Sequence, residues 1–302
     1  LKAFFVTVRV NDAGNLIDAW ARGAGFEFEN IDFILRGSPN DDEILDKAVK
    51  SRPDVIFYVG AAAGEGLPSI ETLQKLRRMA PSVNLCWDAS DPPWHPLLKD
   101  YRDNECFDLQ VGLDGNHDAP VDMATLTPVN PGAYDGPDRE RTIRCGFTGN
   151  IPSRERMELI RALHGTEEQR ASVIHPLGDL VTIRQRELTS PYSDYVDFLK
   201  TCQLAINTSM TGSGATHHVK GRVVEIPLAG AALLEMADAP TNHWLPESSF
   251  FTYRDIDEAA HLIKTLELSD IQKRADKARN YVKSRYHPSM IYGAILSRLG
   301  LA

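Results

Sequence analysis

Two cations and a carboxylate, Lys220, Arg222 and Glu225, follow a loop rich in Gly, Ser and Thr in the stretch NTSMTGSGATHHVKGRVVEIPLAGAALLE at positions 207–235. Such a loop is expected to bring backbone N–H groups and two positive side chains to the positive end of a helix, an arrangement that holds a diphosphate. A cation pair at a helix N-terminus opposes the helix dipole unless an anion is nearby, which favours a phosphate partner over a merely solvated helix start. Glu225, one turn inside, is placed to accept hydrogen bonds from a ribose. Gly230 ends the helical run, and a small apolar strand follows at 231–234. The loop at 211–216 lacks the G-x-x-x-x-G-K-[ST] order, so it is no P-loop. The adjacent His217 and His218 project differently and have no third ligand placed near them, so no metal site is expected; His217 is a candidate substrate contact.

A second set of chemistry-bearing residues lies in the first half. Asp88 and Asp91 stand in WDASD, at 87–91, and His95 follows two prolines and Trp94. Asp12 stands in NDAGN, at 11–15, where Gly14 permits a close backbone approach. Each group follows an expected strand, which makes Asp88, Asp91, Asp12 and His95 candidate general bases. The plain alternative for the two later aspartates is a capped turn, since Asp and Pro-Pro are ordinary turn chemistry. The Gly-rich run at 60–66 is a second candidate ligand loop, or a simple strand-to-helix turn.

The elements that must position these groups alternate along the chain. In the first half, strands are expected at 3–10, 31–35, 55–59, 83–87 and 107–111, and helices at 16–22, 41–51 and 69–79. The helix at 41–51 has an acidic first turn and a basic last turn, matching its dipole, and Ser69 is a natural N-cap. This rhythm gives a parallel sheet covered on both faces. Residues 127–139 hold three Pro and two Gly without periodicity and read as a linker. The rhythm then restarts: strands at 142–147, 171–174 and 204–206, helices at 154–163, 192–201, 256–266, 271–285 and 292–299. The expected architecture is α/β, two Rossmann-like domains facing a cleft. Residues 1–130 form an N-terminal Rossmann-like domain and 140–285 a C-terminal one. Residues 286–302 form a last helix packing back towards the N-terminal domain. In open parallel sheets the ligand lies at the carboxyl ends of the strands, where the candidate residues fall.

The chain has 302 residues, 42% of them hydrophobic and 25% charged, an ordinary globular composition. Its net charge of −9 disfavours general nucleic-acid binding but is compatible with a local basic cleft. The four cysteines are widely spaced with no C-x-x-C pair, so reduced thiols and a cytoplasmic location are expected. No apolar run approaches the roughly 18 residues of a membrane span.

The order K-x-R-x-x-E-x-x-x-x-G before a strand resembles the donor segment of group 1 glycosyltransferases, and looks closest to their spore-maturation-protein (CgeB-like) branch. GFTGN at 146–150 followed by Arg154, LAINTS at 204–209, LPESSFFTYRDIDEAAHLIKTL at 245–266 and KARNYVKSRYHPSMIYGAIL at 277–296 are similar to that branch. The resemblance covers about half the chain. It implies the GT-B fold, sugar transfer from a nucleotide-sugar donor (UDP-sugar favoured) with no permanently bound cofactor or metal, and an acceptor it does not identify. It also implies that Glu225 binds the donor ribose and that Lys220 or Arg222 neutralises the diphosphate. Gly149 and Asn150 would let the backbone approach the donor, with Arg154 adding charge. Many group 1 enzymes carry another Glu eight residues before the ribose Glu; here that position is His217. The sugar and the stereochemistry therefore stay open. An epimerase of the same fold, a non-catalytic two-lobed sugar or nucleotide binder, and a transferase that has lost turnover are the alternatives.

Overall fold

A computed structural model describes residues 1–7, 13–32, 41–60, 67–137, 139–149, 180–185 and 191–302. The chain divides into two compact units, Leu1–Asn130 with Tyr286–Ala302, and Pro131–Arg285.

The first unit is built on β1 (Lys2–Thr7), α1 (Ala13–Ala24), β2 (Glu27–Asp32), α2 (Asp41–Ser51), β3 (Val55–Gly60), α3 (Ile70–Met79), β4 (Ser82–Cys86), α4 (His95–Asp103), β5 (Leu109–Gly112) and β6 (Met123–Ala124). Among the described residues its strands form one parallel sheet in the order β2-β1-β3-β4-β5-β6. Alternate residues of β1 and β3 serve opposite faces, as the two-residue strand period requires. Phe5 and Phe57 stack at 5.1 Å on the face that also buries Ile17 and Trp20 of α1. Phe4, Ile56 and Tyr58 face Ile44 of α2 and Leu73 and Leu76 of α3. The last helix, α9 (Pro288–Arg298), belongs to this unit and buries Ile291, Tyr292 and Ile295 in the first of these faces.

The second unit carries β7 (Ile143–Gly149), β8 (Thr182–Gln185), α5 (Tyr192–Thr201), β9 (Cys202–Ile206), α6 (Arg222–Leu228), β10 (Ala232–Met236), β11 (Phe251–Tyr253), α7 (Ile256–Thr265) and α8 (Leu268–Arg285). Its described strands form a parallel sheet in the order β11-β10-β9-β7-β8. The order reverses between β7 and β9, which makes the carboxyl ends of those two strands the switch point. Phe147, Leu204, Ile206 and Leu234 pack against Ile263 and Ile271.

Local chemistry explains several boundaries. Ser69 caps α3, its side chain accepting from the Thr72 N–H. Asp255 caps α7 by accepting from the Glu258 N–H. Gly230, at φ +76°, lies two residues before β10 in a conformation suited to glycine.

The structure corrects some sequence expectations. The second strand begins at Glu27 rather than at 31 and is described as Glu27–Asp32; residues 33–35 of the expected strand lie outside the described residues. It is an edge strand, so it needs only one apolar face: Phe26 and Phe28 lie against Phe57 and Phe5. The intervening Glu27 and Glu29 pair with Lys2 at 3.9 and 3.1 Å. Within residues 127–139, read as a linker, the two units divide after Asn130, and the 3-10 turn Pro131–Tyr134 opens the second unit with Tyr134 fully buried. The strand β8 had no counterpart in the sequence reading. The helix expected at 154–163 and the strand expected at 171–174 lie outside the described residues. The four cysteines are free and buried, and no described helix is long and apolar enough to cross a membrane.

Candidate functional site

The carboxyl ends of β7 and β9 are joined by one side chain. Arg222, the first residue of α6, donates from Nε to Asn207 Oδ1 at 2.9 Å and from Nη1 to the Thr148 carbonyl at 2.9 Å. Its guanidinium also lies over the Phe147 ring, 5.0 Å from the centroid. Gly149 ends β7 at φ +136°, and a Cβ there would overlap the Arg222 guanidinium. The glycine is thus explained by Arg222 as well as by backbone conformation. The sequence had assigned it to donor approach.

Glu225 lies one turn further along α6 and is half-buried. Both carboxylate oxygens are held: the Tyr192 hydroxyl donates to Oε1 at 3.0 Å and the Tyr195 hydroxyl to Oε2 at 2.5 Å. Tyr192 and Tyr195 stand three residues apart on α5, so they share a helix face and stack at 5.5 Å. The Tyr134 hydroxyl lies 2.6 Å from that of Tyr192. Burial, then the nearby Glu225 charge, pushes the Tyr195 hydroxyl well above its usual range, so it remains a donor at any ordinary pH.

The loop before α6 is folded on itself. Met210 and His217 form an antiparallel bridge. The Thr211 N–H bonds the Thr216 carbonyl at 2.9 Å and the Gly214 N–H the Thr211 carbonyl at 3.1 Å. The Ala215 and Thr216 N–H groups bond the Ser213 and Thr211 hydroxyls at 3.2 and 3.4 Å. These amides close a hairpin, so they are not the open phosphate cradle the composition suggested. The His217 Nδ1 lies 2.8 Å from the Ser209 hydroxyl. Lys220, half-buried, stands just before α6, which is only seven residues long.

Behind Arg222 lies a buried carboxylate that sequence reasoning missed. Glu235, in β10, is fully buried. Its Oε2 accepts from Asn207 Nδ2 at 2.8 Å and from the Thr241 hydroxyl at 3.3 Å, and its Oε1 from the Met236 N–H at 2.9 Å. Burial pushes its pKa up to about 7, against the lowering effect of those bonds and of the Arg222 charge. The available signal was a lone carboxylate inside the apolar run 231–236.

In the first unit, Asp88 and Asp91 occupy the turn after β4. Asp114, just past β5, fixes that turn by accepting from the Ser90 N–H at 2.8 Å and the Ser90 hydroxyl at 2.7 Å. Asp91 is 4% exposed and precedes the 3-10 turn Pro92–Trp94 without a side-chain cap bond. His95 opens α4, with Nε2 buried and no hydrogen-bond partner among the described residues. Asp12, Asn150 and Arg154 lie outside the described residues, as do residues 61–66 of the second Gly-rich loop. Among the candidates Gly149 ends β7, Asp88 and Asp91 follow β4 and His95 opens α4, whereas Arg222 and Glu225 lie on α6, with His217 and Lys220 in the loop before it. Among the described residues no group of three or more His, Cys, Asp or Glu could hold a metal ion.

No protein-family model matches the chain, and no curated protein sequence matches it. Solved structures do. Anabaena Alr3699/HepE in complex with UDP-glucose is similar at a TM-score of 0.66 and 11% identity over 100% of both chains. The glycosyltransferase from Rickettsia africae ESF-5 is similar at 0.61 and 11% identity, over 99% of this chain and 98% of its own. The trehalose-6-phosphate synthase OtsA is similar at 0.66 and 10% identity, over 100% of this chain and 99% of its own. With a parallel α/β sheet in each unit and a likeness to these enzymes along the whole chain, the protein has the GT-B fold.

Proposed function

We propose that the chain is a glycosyltransferase, related to the CgeB-like branch of the group 1 enzymes. It moves a hexose or pentose from a nucleoside-diphosphate sugar, UDP-sugar favoured, to an acceptor hydroxyl without a bound metal. The observation that carries this reading is the setting of Glu225. Each of its oxygens receives one tyrosine hydroxyl, and a carboxylate oxygen has lone pairs for a second donor. A carboxylate so oriented is ready to accept both vicinal hydroxyls of a ribose. The UDP and UDP-glucose complexes of the Anabaena protein support the choice of donor.

Departure of the nucleoside diphosphate leaves negative charge that must be stabilised. In this reading Lys220 meets the diphosphate, with Arg222 holding the strand ends beside it and His217 bordering the sugar. Gly149 and the residues next in sequence, Asn150 and Arg154, complete the donor side. Asp88, Asp91, Asp12 and His95 are the candidate bases on the acceptor side. The four buried thiols accord with a cytoplasmic enzyme.

Calorimetric titration with UDP tests this. Glu225→Ala is expected to weaken UDP binding at least tenfold, the scale of a lost charge-assisted hydrogen-bond pair, while keeping the fold. Wild-type affinity in Glu225→Ala would remove the ribose assignment.

A further inference from the structure

The donor-site reading leaves Glu235 and Asn207 without a role, although they form the most completely buried polar network in contact with Arg222. We propose that Glu235, acting through the Asn207 carboxamide, is a positioning residue for Arg222. The consequence for donor binding rests on the reading given above.

The chemistry of the donors fixes the direction of the chain. A guanidinium has donors only, so the Asn207 atom facing Arg222 Nε must be the carbonyl oxygen. The amide nitrogen then faces Glu235 Oε2, at 2.8 Å. Asn207 cannot respond by moving its backbone. Its N–H is bonded to the Leu234 carbonyl at 2.8 Å, and its own carbonyl accepts from the Tyr253 hydroxyl at 2.7 Å. Asn207 and Glu235 are both 0% exposed, so water does not substitute for a lost partner.

Three donors converge on the Glu235 carboxyl, from Asn207, Thr241 and the Met236 N–H. That environment suits a carboxylate. A proton on Oε2 is taken by the Thr241 hydroxyl, 3.3 Å away, which turns to accept it. The Asn207 amide then faces a neutral carboxyl oxygen, a weaker acceptor than a carboxylate. The protonated state therefore loosens the chain that holds the guanidinium across the switch point. The groups facing Glu235 are Asn207 after β9, Thr241 and Met236 after and at the end of β10, and Arg222 of α6; Tyr253 of β11 lies behind Asn207. Arg222 carries the charge among them. With burial raising Glu235 to about 7, both states are populated near neutrality.

Two measurements on the intact chain test this. The Arg222 Nε–H resonance, identified by its loss in Arg222→Lys, is followed by NMR from pH 6 to about 8.5 in the wild type and in Glu235→Gln. It is expected to shift with a midpoint near neutrality in the wild type and to stay still in Glu235→Gln. In parallel, UDP affinity is measured over the same range. Because UDP titrates too, the difference between the two proteins is read: the wild type should gain roughly tenfold over Glu235→Gln as pH rises, about one charge-assisted hydrogen bond. An Arg222 signal that ignores pH in the wild type overturns the inference, whether or not the variant folds. A titrating signal in a protein that binds no UDP supports the positioning chain and removes the donor-site reading instead.

Discussion

Arg222 and Glu225 stand one turn apart on the same short helix, and their partners differ. Arg222 faces inward to Asn207 and the Thr148 carbonyl, whereas Glu225 is held by two hydroxyls that leave it acceptor capacity. In the proposed reading Asp88 and Asp91 are the acceptor-side counterparts. If one of them is the base, its replacement by Asn should leave UDP affinity unchanged and slow UDP release from the donor by about 100-fold. Full rates in both variants would remove them as bases. Glu235 gives a stability prediction at the same scale. Its folded pKa of about 7 lies above the ordinary 4.5, so the folded state holds this proton more tightly. The resulting stability is complete below the ordinary value and is lost as pH rises through about 7. The loss approaches about 3 kcal/mol, at 1.36 kcal/mol per pKa unit. Urea unfolding across that window should show this fall in the wild type and not in Glu235→Gln; parallel curves would contradict the assignment.

At the scale of elements, two glycines with opposite surroundings make a paired test. Gly149 needs both its positive φ and the space filled by Arg222, so Gly149→Ala should destabilise by about 2 kcal/mol or more. Gly293, inside α9, has open space where a Cβ would stand, so Gly293→Ala should stabilise by roughly 0.5–1 kcal/mol through helix propensity. Thermal or urea melts decide both signs. The helices with strong amphipathic patterns were legible from sequence: α2 at Asp41–Ser51 and α5 at Tyr192–Thr201 fall where the pattern placed them. So does the short helix α6, which starts at Arg222 and carries Glu225 one turn inside. The edge strand β2 was misplaced because half its residues are charged and the longer apolar run lay just beyond it. The hairpin at 210–217 was misread because composition shows that amides are plentiful, not where their bonds go. The meeting of Asn207 with Glu235 and of the Tyr192–Tyr195 pair with Glu225 was not seen because it arises from packing between distant segments, which no local spacing reveals.

At the scale of the molecule, the chain crosses between its units twice, after Asn130 and after Arg285, and the last helix completes the core of the first unit. The second unit brings the donor candidates to a switch point between two strands, and the first brings acidic candidates to its own strand ends. The measurement that tests the central claim most directly is a thermal-shift panel with UDP, GDP, ADP, CMP and dTDP, with and without EDTA. A ligand at 100 times its Kd stabilises the fold by about 2.7 kcal/mol, which raises the melting point by a few degrees. The expected result is a selective shift with UDP that survives EDTA and disappears in Glu225→Ala. No shift with any of the nucleotides would contradict a nucleotide-sugar transferase, and a UDP shift that EDTA removes would contradict transfer without a metal.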